Sequence, residues 1–173
     1  DTADIVAENF RPGVMDNLGF GWEALKKRKP SLIYASASGY GPSGPYVEKP
    51  GQDLLAQALF GMMAITGQPH WGPRPAGASV IDHHGAALFA MGVLAALVRR
   101  SRTGQGCRVD ASLMQAALDL QAESLVAWAN APKEPETTFG VGKMGGWYFA
   151  APYGVYQTKD SYMALSLSAM SLV

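Results

Sequence analysis

The stretch that decides the fold is DIVAENFRPG (residues 4–13), followed by WEALKKR (22–28) and LIYASASGYG (32–41). Ile5 and Val6 predict a short strand, which Pro12 and Gly13 end. Trp22 to Arg28 predicts a short amphipathic helix whose cationic end suits the negative end of the helix dipole, and Lys29-Pro30 stops it. Leu32 to Ser36 is apolar enough for a strand covered on both faces, as parallel sheets require. Strand, helix and strand in this order make a βαβ unit, so the chain reads as α/β. Open sheets of that class bind ligands at the carboxyl ends of their strands. Two polar loops fall there. Glu8 to Gly13 reads equally well as ligand-binding or as a capping turn with a solvated arginine. Ser36 to Gly41 can offer backbone amides to a phosphate or a carbonyl. Neither a G-x-G-x-x-G pattern nor a Walker lysine is present, which argues against a dinucleotide or a nucleoside triphosphate.

Outward from this unit, apolar spacing predicts a helix from Leu54 to Ile65, with Asp53 at its start to cap exposed amides. A Gly/Pro-rich loop follows from Thr66 to Val80, and His70, His83 and His84 lie in or just after it. Gly85 to Val98 is apolar all round, which predicts a central helix buried on every side. Arg99, Arg100 and Arg102 at its end read as a solvated charged terminus. Thr103 to Gly106 is a tight turn, Cys107 to Leu113 a strand, and Met114 to Asn130 a further helix. Residues 132–138 (PKEPETT) have the composition of a linker. Trp147 to Tyr156 and Tyr162 to Leu167 predict a hairpin around a turn at 157–161. The expected domains are therefore 1–131, a linker with a Gly-rich loop over 132–146, and the start of a smaller β-containing domain over 147–173.

With 48% hydrophobic and 16% charged residues, the chain can build a core. Lys+Arg and Asp+Glu balance at 14 each, so no basic footprint points to nucleic acid or to an anionic membrane. A single cysteine, Cys107, excludes an intramolecular disulfide and fits a reducing, cytoplasmic compartment. The apolar run Ala86 to Val98 is shorter than the roughly 20 residues that cross a bilayer, and no signal segment is visible. A soluble protein is expected. The chain opens on a strand already under way and stops after strand-like alternation, as a piece of a longer chain would.

Among catalytic readings, a zinc site from His70, Asp82, His83 and His84 is disfavoured. Adjacent histidines on a helix diverge by about 100°, and the i, i+4 pair of zinc hydrolases is absent. No metal is expected. A Ser-His-Asp triad lacks its G-x-S-x-G elbow. Asp82 can equally be the N-cap of the central helix.

Eight motifs in order are nevertheless specific. They are Glu8-Asn-Phe-Arg-Pro-Gly13, Ser36-Ala-Ser-Gly-Tyr-Gly-Pro42, Gly51-Gln-Asp53, Gly61-Met-Met-x-x-Thr-Gly67, Asp82, Gly92-x-Leu-Ala-Ala-Leu97, Arg102-Thr-Gly-Gln-Gly106 and Pro152-Tyr-Gly-Val-Tyr156. Together they resemble the class III CoA-transferase family, which includes formyl-CoA and carnitine CoA-transferases and shares its fold with α-methylacyl-CoA racemase. The resemblance implies part of a Rossmann-like large domain, the beginning of a smaller domain, and two interlocked copies in the full-length protein. It implies coenzyme A and acyl-CoA as substrates beside a free carboxylic acid, with no tightly bound cofactor. It places Asn9, Phe10, Arg11, Ser38, Gly39 and Tyr40 at the CoA site. Counting from Thr66-Gly67 and back from Asp82 puts His70 in the slot where transferases carry a nucleophilic aspartate. Asp82 and Asp53 are then the nearest carboxylates, and His70, Asp82 and Asp53 are the candidate catalytic residues. The resemblance leaves two further functions open, a catalytically altered acyl-CoA-binding homologue and an acyl-CoA racemase or isomerase. For the latter, Gln52 stands where the racemases carry a histidine, and no carboxylate stands near Ala169.

Overall fold

The computed structural model describes residues 2–66, 72–130 and 152–166. In chain order the elements are β1 (Ile5–Glu8), α1 (Val14–Asn17), α2 (Trp22–Arg28), β2 (Ile33–Ser38), α3 (Asp53–Leu59), α4 (Met62–Ile65), α5 (Val80–Thr103), β3 (Arg108–Ser112), α6 (Leu113–Leu120), α7 (Ala122–Ala129), β4 (Tyr153–Gln157) and β5 (Tyr162–Ser166). They form two compact units interleaved in sequence. One comprises Asp1–Ala56 and Ser79–Leu120, the other Gln57–Ala78 and Gln121–Val173. The linker expected over 132–146 lies outside the described residues.

The first unit is built on a parallel sheet of order β1-β2-β3. Its central strand is the apolar one, because only a strand with neighbours on both edges and helices over its faces can remove Ile33 and Ala35 wholly from water. In register, Ala35 lies between Ala7 on β1 and Val109 on β3. The alternation of side chains then sorts the faces. Val109 meets α5 so closely that a Cβ on Gly92 would stand 2.8 Å from its Cγ1. On the other face the Tyr34 ring lies 6.3 Å from that of Trp22 on α2 and 6.0 Å from the Arg108 guanidinium. The Tyr34 hydroxyl donates to Glu8 Oε1 at 3.4 Å. Burial first, then the charges of Glu8 and Asp16, pushes that phenol up to about 12.

Helix α5 corrects two expectations. It runs for 24 residues, beyond the apolar core read from the sequence, because Val80 to His84 and Arg99 to Thr103 extend it at both ends. By length and composition alone it meets the requirement of a bilayer span. It is also not buried on every side. Within it Ile81 and Ala96 are buried, whereas Met91, Leu94 and Val98 are exposed. A sheet covers one side of a helix, and the apolar residues on the other side of α5 face outward. Its small residues allow close contact: a Cβ on Gly85 would lie 3.5 Å from Ala116 Cβ on α6.

The end of α5 is tied rather than solvated. Gly104 takes the left-handed conformation (φ 69°) and returns its N–H to Arg100 O at 2.8 Å. Arg99 donates to the carbonyls of Gln105 and Gly106 at 3.3 and 2.9 Å. Arg100 and Lys29 both pair with Asp4, at 3.3 and 3.1 Å, and the Lys29 hydrogen bond foremost holds the Asp4 carboxyl below its ordinary range. Gly106 then donates to Pro30 O at 2.9 Å and lies directly against the backbone of Leu32. That contact lets β3 run beside β2.

The helix expected from Leu54 to Ile65 is broken, because Gly61 adopts φ 85° between α3 and α4. The helix expected from Met114 to Asn130 likewise divides into α6 and α7 at Gln121. Gln57 is 1% exposed; its amide donates to Ala78 O at 3.0 Å and its carbonyl accepts the Ala76 N–H at 2.9 Å. Gln121 donates to Phe60 O at 3.1 Å. Strands β4 and β5 pair antiparallel from Tyr153↔Ser166 to Gln157↔Tyr162. Their turn is closed by Thr158 N–H to Ser161 O at 2.9 Å and by Ser161 N–H to Thr158 Oγ1 at 3.0 Å.

Gly106 supplies a test of this packing. Its missing Cβ would collide with rigid backbone, not with the end of a flexible side chain. Gly106→Ala in the full-length protein is expected to destabilise it by about 1–3 kcal/mol or more, read as a lower urea midpoint. An unchanged midpoint would remove Gly106 from this role.

Candidate active site

The carboxyl ends of β1, β2 and β3 and the first turn of α5 surround a cavity of about 720 Å³. Asn9, Ser38, Gly39, Gln52, Asp53 and Asp82 are among its lining residues, with Phe89 supplying an apolar wall. A smaller cleft of about 220 Å³ is lined by Asn9, Phe10, Arg11, Ser38, Gly39 and Lys49, among others. The two share Asn9, Ser38, Gly39 and Gly51, so they are neighbours along one wall.

That wall depends on two glycines. Gly39 follows β2 and Gly51 precedes α3, and a Cβ built on Gly39 would lie 2.6 Å from Gly51 Cα. No residue with a side chain fits at either position without moving the backbone. The Gly39 carbonyl accepts the N–H of Met114 at 3.1 Å, and Ser38 Oγ accepts that of Gly41 at 3.0 Å, which fixes the loop after β2. The loop after β1 is shaped by Glu8, whose carboxylate accepts the Phe10 N–H at 2.8 Å. At the third strand end, Ser112 Oγ accepts the N–H of Gln115 at 3.2 Å and so caps α6.

Five of the six residues expected at the CoA site therefore line one cleft: Asn9, Phe10, Arg11, Ser38 and Gly39. Tyr40 lines neither cavity. Its ring packs edge-on against Tyr46, 5.5 Å away. Lys49 is a cation that the sequence reading passed over. It stands after a loop of Gly, Pro and Ser with no periodicity to mark it, and only folding brings it to the same cleft as Arg11. Its Nζ lies 4.1 Å over the Tyr46 ring.

The two candidate aspartates divide their roles. Asp53 is 8% exposed, and its Oδ1 accepts the N–H groups of Ile81 at 2.8 Å and Asp82 at 3.0 Å. It was expected to cap its own helix, but it caps the first turn of α5. Asp82 is not the N-cap of that helix. It is the third residue, Ser79 holds the cap position, and Ser79 makes no side-chain cap bond. The Asp82 side chain is exposed at the cavity. Desolvation and then the charge of Asp53 raise its carboxyl above the usual range, with His83 acting in the opposite sense.

Of the histidines, His84 pairs with Asp119 at 2.7 Å, linking α5 to α6, and His83 is exposed. His70 lies outside the described residues. Among the described residues no three His, Cys, Asp or Glu side chains gather as a metal site would need.

Comparisons with known proteins agree with one another. A model of CoA-transferase family III matches residues 1–172. The acetyl-CoA:oxalate CoA-transferase of Acetobacter aceti is 41% identical over 160 residues, 91% of this chain and 40% of that protein. An acyl-CoA transferase of Fusarium pseudograminearum is 39% identical over 162 residues, 93% of this chain and 34% of its own. The crystal structure of Rv3272 from Mycobacterium tuberculosis superposes with a TM-score of 0.80 at 32% identity, covering 98% of this chain and 42% of that one. The chain thus spans between about a third and two fifths of the length of these relatives.

The environment of Asp82 is directly measurable. Its side-chain carboxyl, followed by carbon NMR through a pH titration, is expected to titrate above the ordinary aspartate value of 3.8. A midpoint at or below that value would mean that neither burial nor Asp53 acts on it.

Proposed function

The chain belongs to CoA-transferase family III, and from that premise we propose that the whole protein moves CoA between an acyl-CoA thioester and a free carboxylic acid. The observation that carries this reading is the convergence of Asn9, Phe10, Arg11, Ser38 and Gly39 on one cleft beside a larger cavity that holds a carboxylate with a raised pKa. CoA is a polyanion, and this chain has no net charge to attract it. Arg11 and Lys49 at the cleft are the local cations for its phosphates. The acyl thioester then extends into the larger cavity, past Gly39 and Gly51, where Asp82 stands. Two copies interlock in the whole protein; the outward apolar residues Met91, Leu94 and Val98 of α5 are consistent with further protein covering that side.

In the proposed chemistry Asp82 attacks the thioester carbonyl. The C–S bond breaks, and a mixed anhydride and CoA thiolate result. The thiolate attacks the Asp82 carbonyl of that anhydride, releasing the first carboxylate and leaving an enzyme-bound CoA thioester. The acceptor carboxylate attacks this thioester, and the expelled thiolate finally takes the new acyl group, restoring Asp82. Covalent catalysis divides one difficult exchange into easier steps. Desolvation and the neighbouring Asp53 charge raise the Asp82 pKa, and a more basic carboxylate is a stronger nucleophile.

A second reading follows from His70. An imidazole can accept an acyl group but cannot form the CoA thioester that a carboxylate forms. A protein with His70 in the nucleophile slot and no reacting carboxylate would bind acyl-CoA without exchanging it.

Trapping separates the two. Full-length protein given an acyl-CoA and then hydroxylamine or borohydride is expected to carry the modification on Asp82, and Asp82→Asn to carry none. Acyl-CoA binding without any adduct selects the second reading, and an adduct on His70 moves the nucleophile there. Arg11→Ala is expected to weaken acyl-CoA binding by about tenfold to a hundredfold, the loss of one charge-assisted hydrogen bond, read by calorimetry. Unchanged affinity would place the CoA phosphates elsewhere.

A further inference from the structure

We propose that Asp53 is a positioning residue. From the start of α3 it clamps the first turn of α5 and thereby fixes the Asp82 carboxylate at the cavity wall. This inference deepens the transferase reading of the same cavity and rests on it for its catalytic consequence. Every helix begins with N–H groups that have no partner inside the helix. In α5 two of them, on Ile81 and Asp82, end on a single oxygen of Asp53, 28 and 29 residues earlier in sequence. The residue in the ordinary cap position, Ser79, makes no side-chain cap bond, so this function comes from another helix. One of the two bonds is made by the backbone of Asp82 itself, so the position of Asp82 is referred directly to α3. Ile81 is fully buried beside it, which prevents the turn from swivelling about the clamp.

The same geometry argues against Asp53 as the reacting group, although it borders the cavity. Attack through Oδ1 would surrender two hydrogen bonds at 2.8 and 3.0 Å and uncap a 24-residue helix. Among the described residues no hydrogen bond holds the Asp82 carboxylate. The pair therefore divides the labour: one carboxylate holds the backbone and the other is presented by it. Misplacement of a reacting group by about 1 Å can cost a hundredfold in rate. The clamp consequently matters to turnover more than to substrate affinity.

The test uses the full-length protein with Asp53→Asn and Asp53→Ala. Asparagine keeps an oxygen that can accept both amides, and it caps helices about as well as aspartate. Asp53→Asn is expected to retain kcat within about tenfold of wild type, whereas Asp53→Ala loses about a hundredfold in kcat with KM for acyl-CoA nearly unchanged. Hydrogen exchange at the Ile81 and Asp82 amides is expected to stay slow in Asp53→Asn and to quicken by about threefold to thirtyfold in Asp53→Ala. The Asp82 titration midpoint falls in Asp53→Asn, because a neighbouring negative charge is gone. Asp53→Asn as inactive as Asp53→Ala, with its amide protection intact, would make Asp53 a reacting group and overturn the proposal. So would full activity in Asp53→Ala. If the wild-type protein shows no transfer at all, the transferase reading falls, and the exchange rates alone decide the clamp: unchanged protection in Asp53→Ala overturns it. Should Asp53→Ala fail to fold, Asp53→Asn decides by kcat and the Asp82 midpoint.

Discussion

Two backbone amides at the start of α5 converge on one oxygen of Asp53, and the geometry of the cavity depends on that junction. A helix of 24 residues is a stiff rod, so fixing its first turn fixes where its whole length lies on the sheet. The opposite end is held as firmly, by the left-handed Gly104, by Arg99 on the carbonyls of Gln105 and Gly106, and by Gly106 against Leu32. With both ends held, Gly92 can press onto Val109 and Gly85 onto Ala116. The sheet and its helix then present their carboxyl and amino ends to the same space. A cavity forms there because the loops after β2 and before α3 approach each other at Gly39 and Gly51 and go no further.

This arrangement uses glycine where other folds use large side chains. The buried hydrophobic residues of the first unit include many small ones, Ala35, Ala56, Ala96, Ala116 and Ala117, beside Leu32, Ile33, Tyr34 and Ile81. Small residues bury little area each, at about 25 cal/mol per Å², but they allow backbones to approach closely. Close approach is what the site needs, since Gly39 and Gly51 form part of the wall shared by both cavities. The larger apolar residues Met91, Leu94 and Val98 point outward from α5. Core and site thus both rely on small residues, alanines in the one and glycines in the other.

The sheet was legible in the sequence because its signals are local. Val6 and Ile33 lie in apolar runs bounded by Pro and Gly, and helix α2 ends at its lysines and Pro30 as written. What stayed hidden was non-local. Asp53 looks like the cap of its own helix, since it stands one residue before an apolar repeat; its actual partner lies 28 residues on and could be found only once α5 was in place. Lys49 has no pattern around it at all. The all-apolar run of α5 reads as a fully buried helix, but periodicity reports which side chains avoid water, not whether the described residues supply enough surface to cover them. The breaks at Gly61 and Gln121 were missed for a related reason: a helical repeat continues through a single residue that leaves the helical conformation.

His70 separates the two questions that family membership tends to merge. Among the described residues, the close contacts that shape this fold involve Gly39, Gly51, Asp53, Gly92 and Gly106. Family membership rests on that architecture, whereas the expectation that His70 fills the nucleophile slot rests on the sequence resemblance alone. The chemistry does not treat carboxylate and imidazole alike. A carboxylate carbonyl can carry CoA between two acids; an imidazole can carry only the acyl group, and CoA must wait elsewhere as a thiolate. In the proposed chemistry that carbonyl is Asp82's, at the wall of the large cavity beside Asp53, whose Oδ1 accepts two backbone amides. The fold places a carboxylate, that of Asp82, at the wall of the large cavity, and the proposed chemistry uses it there.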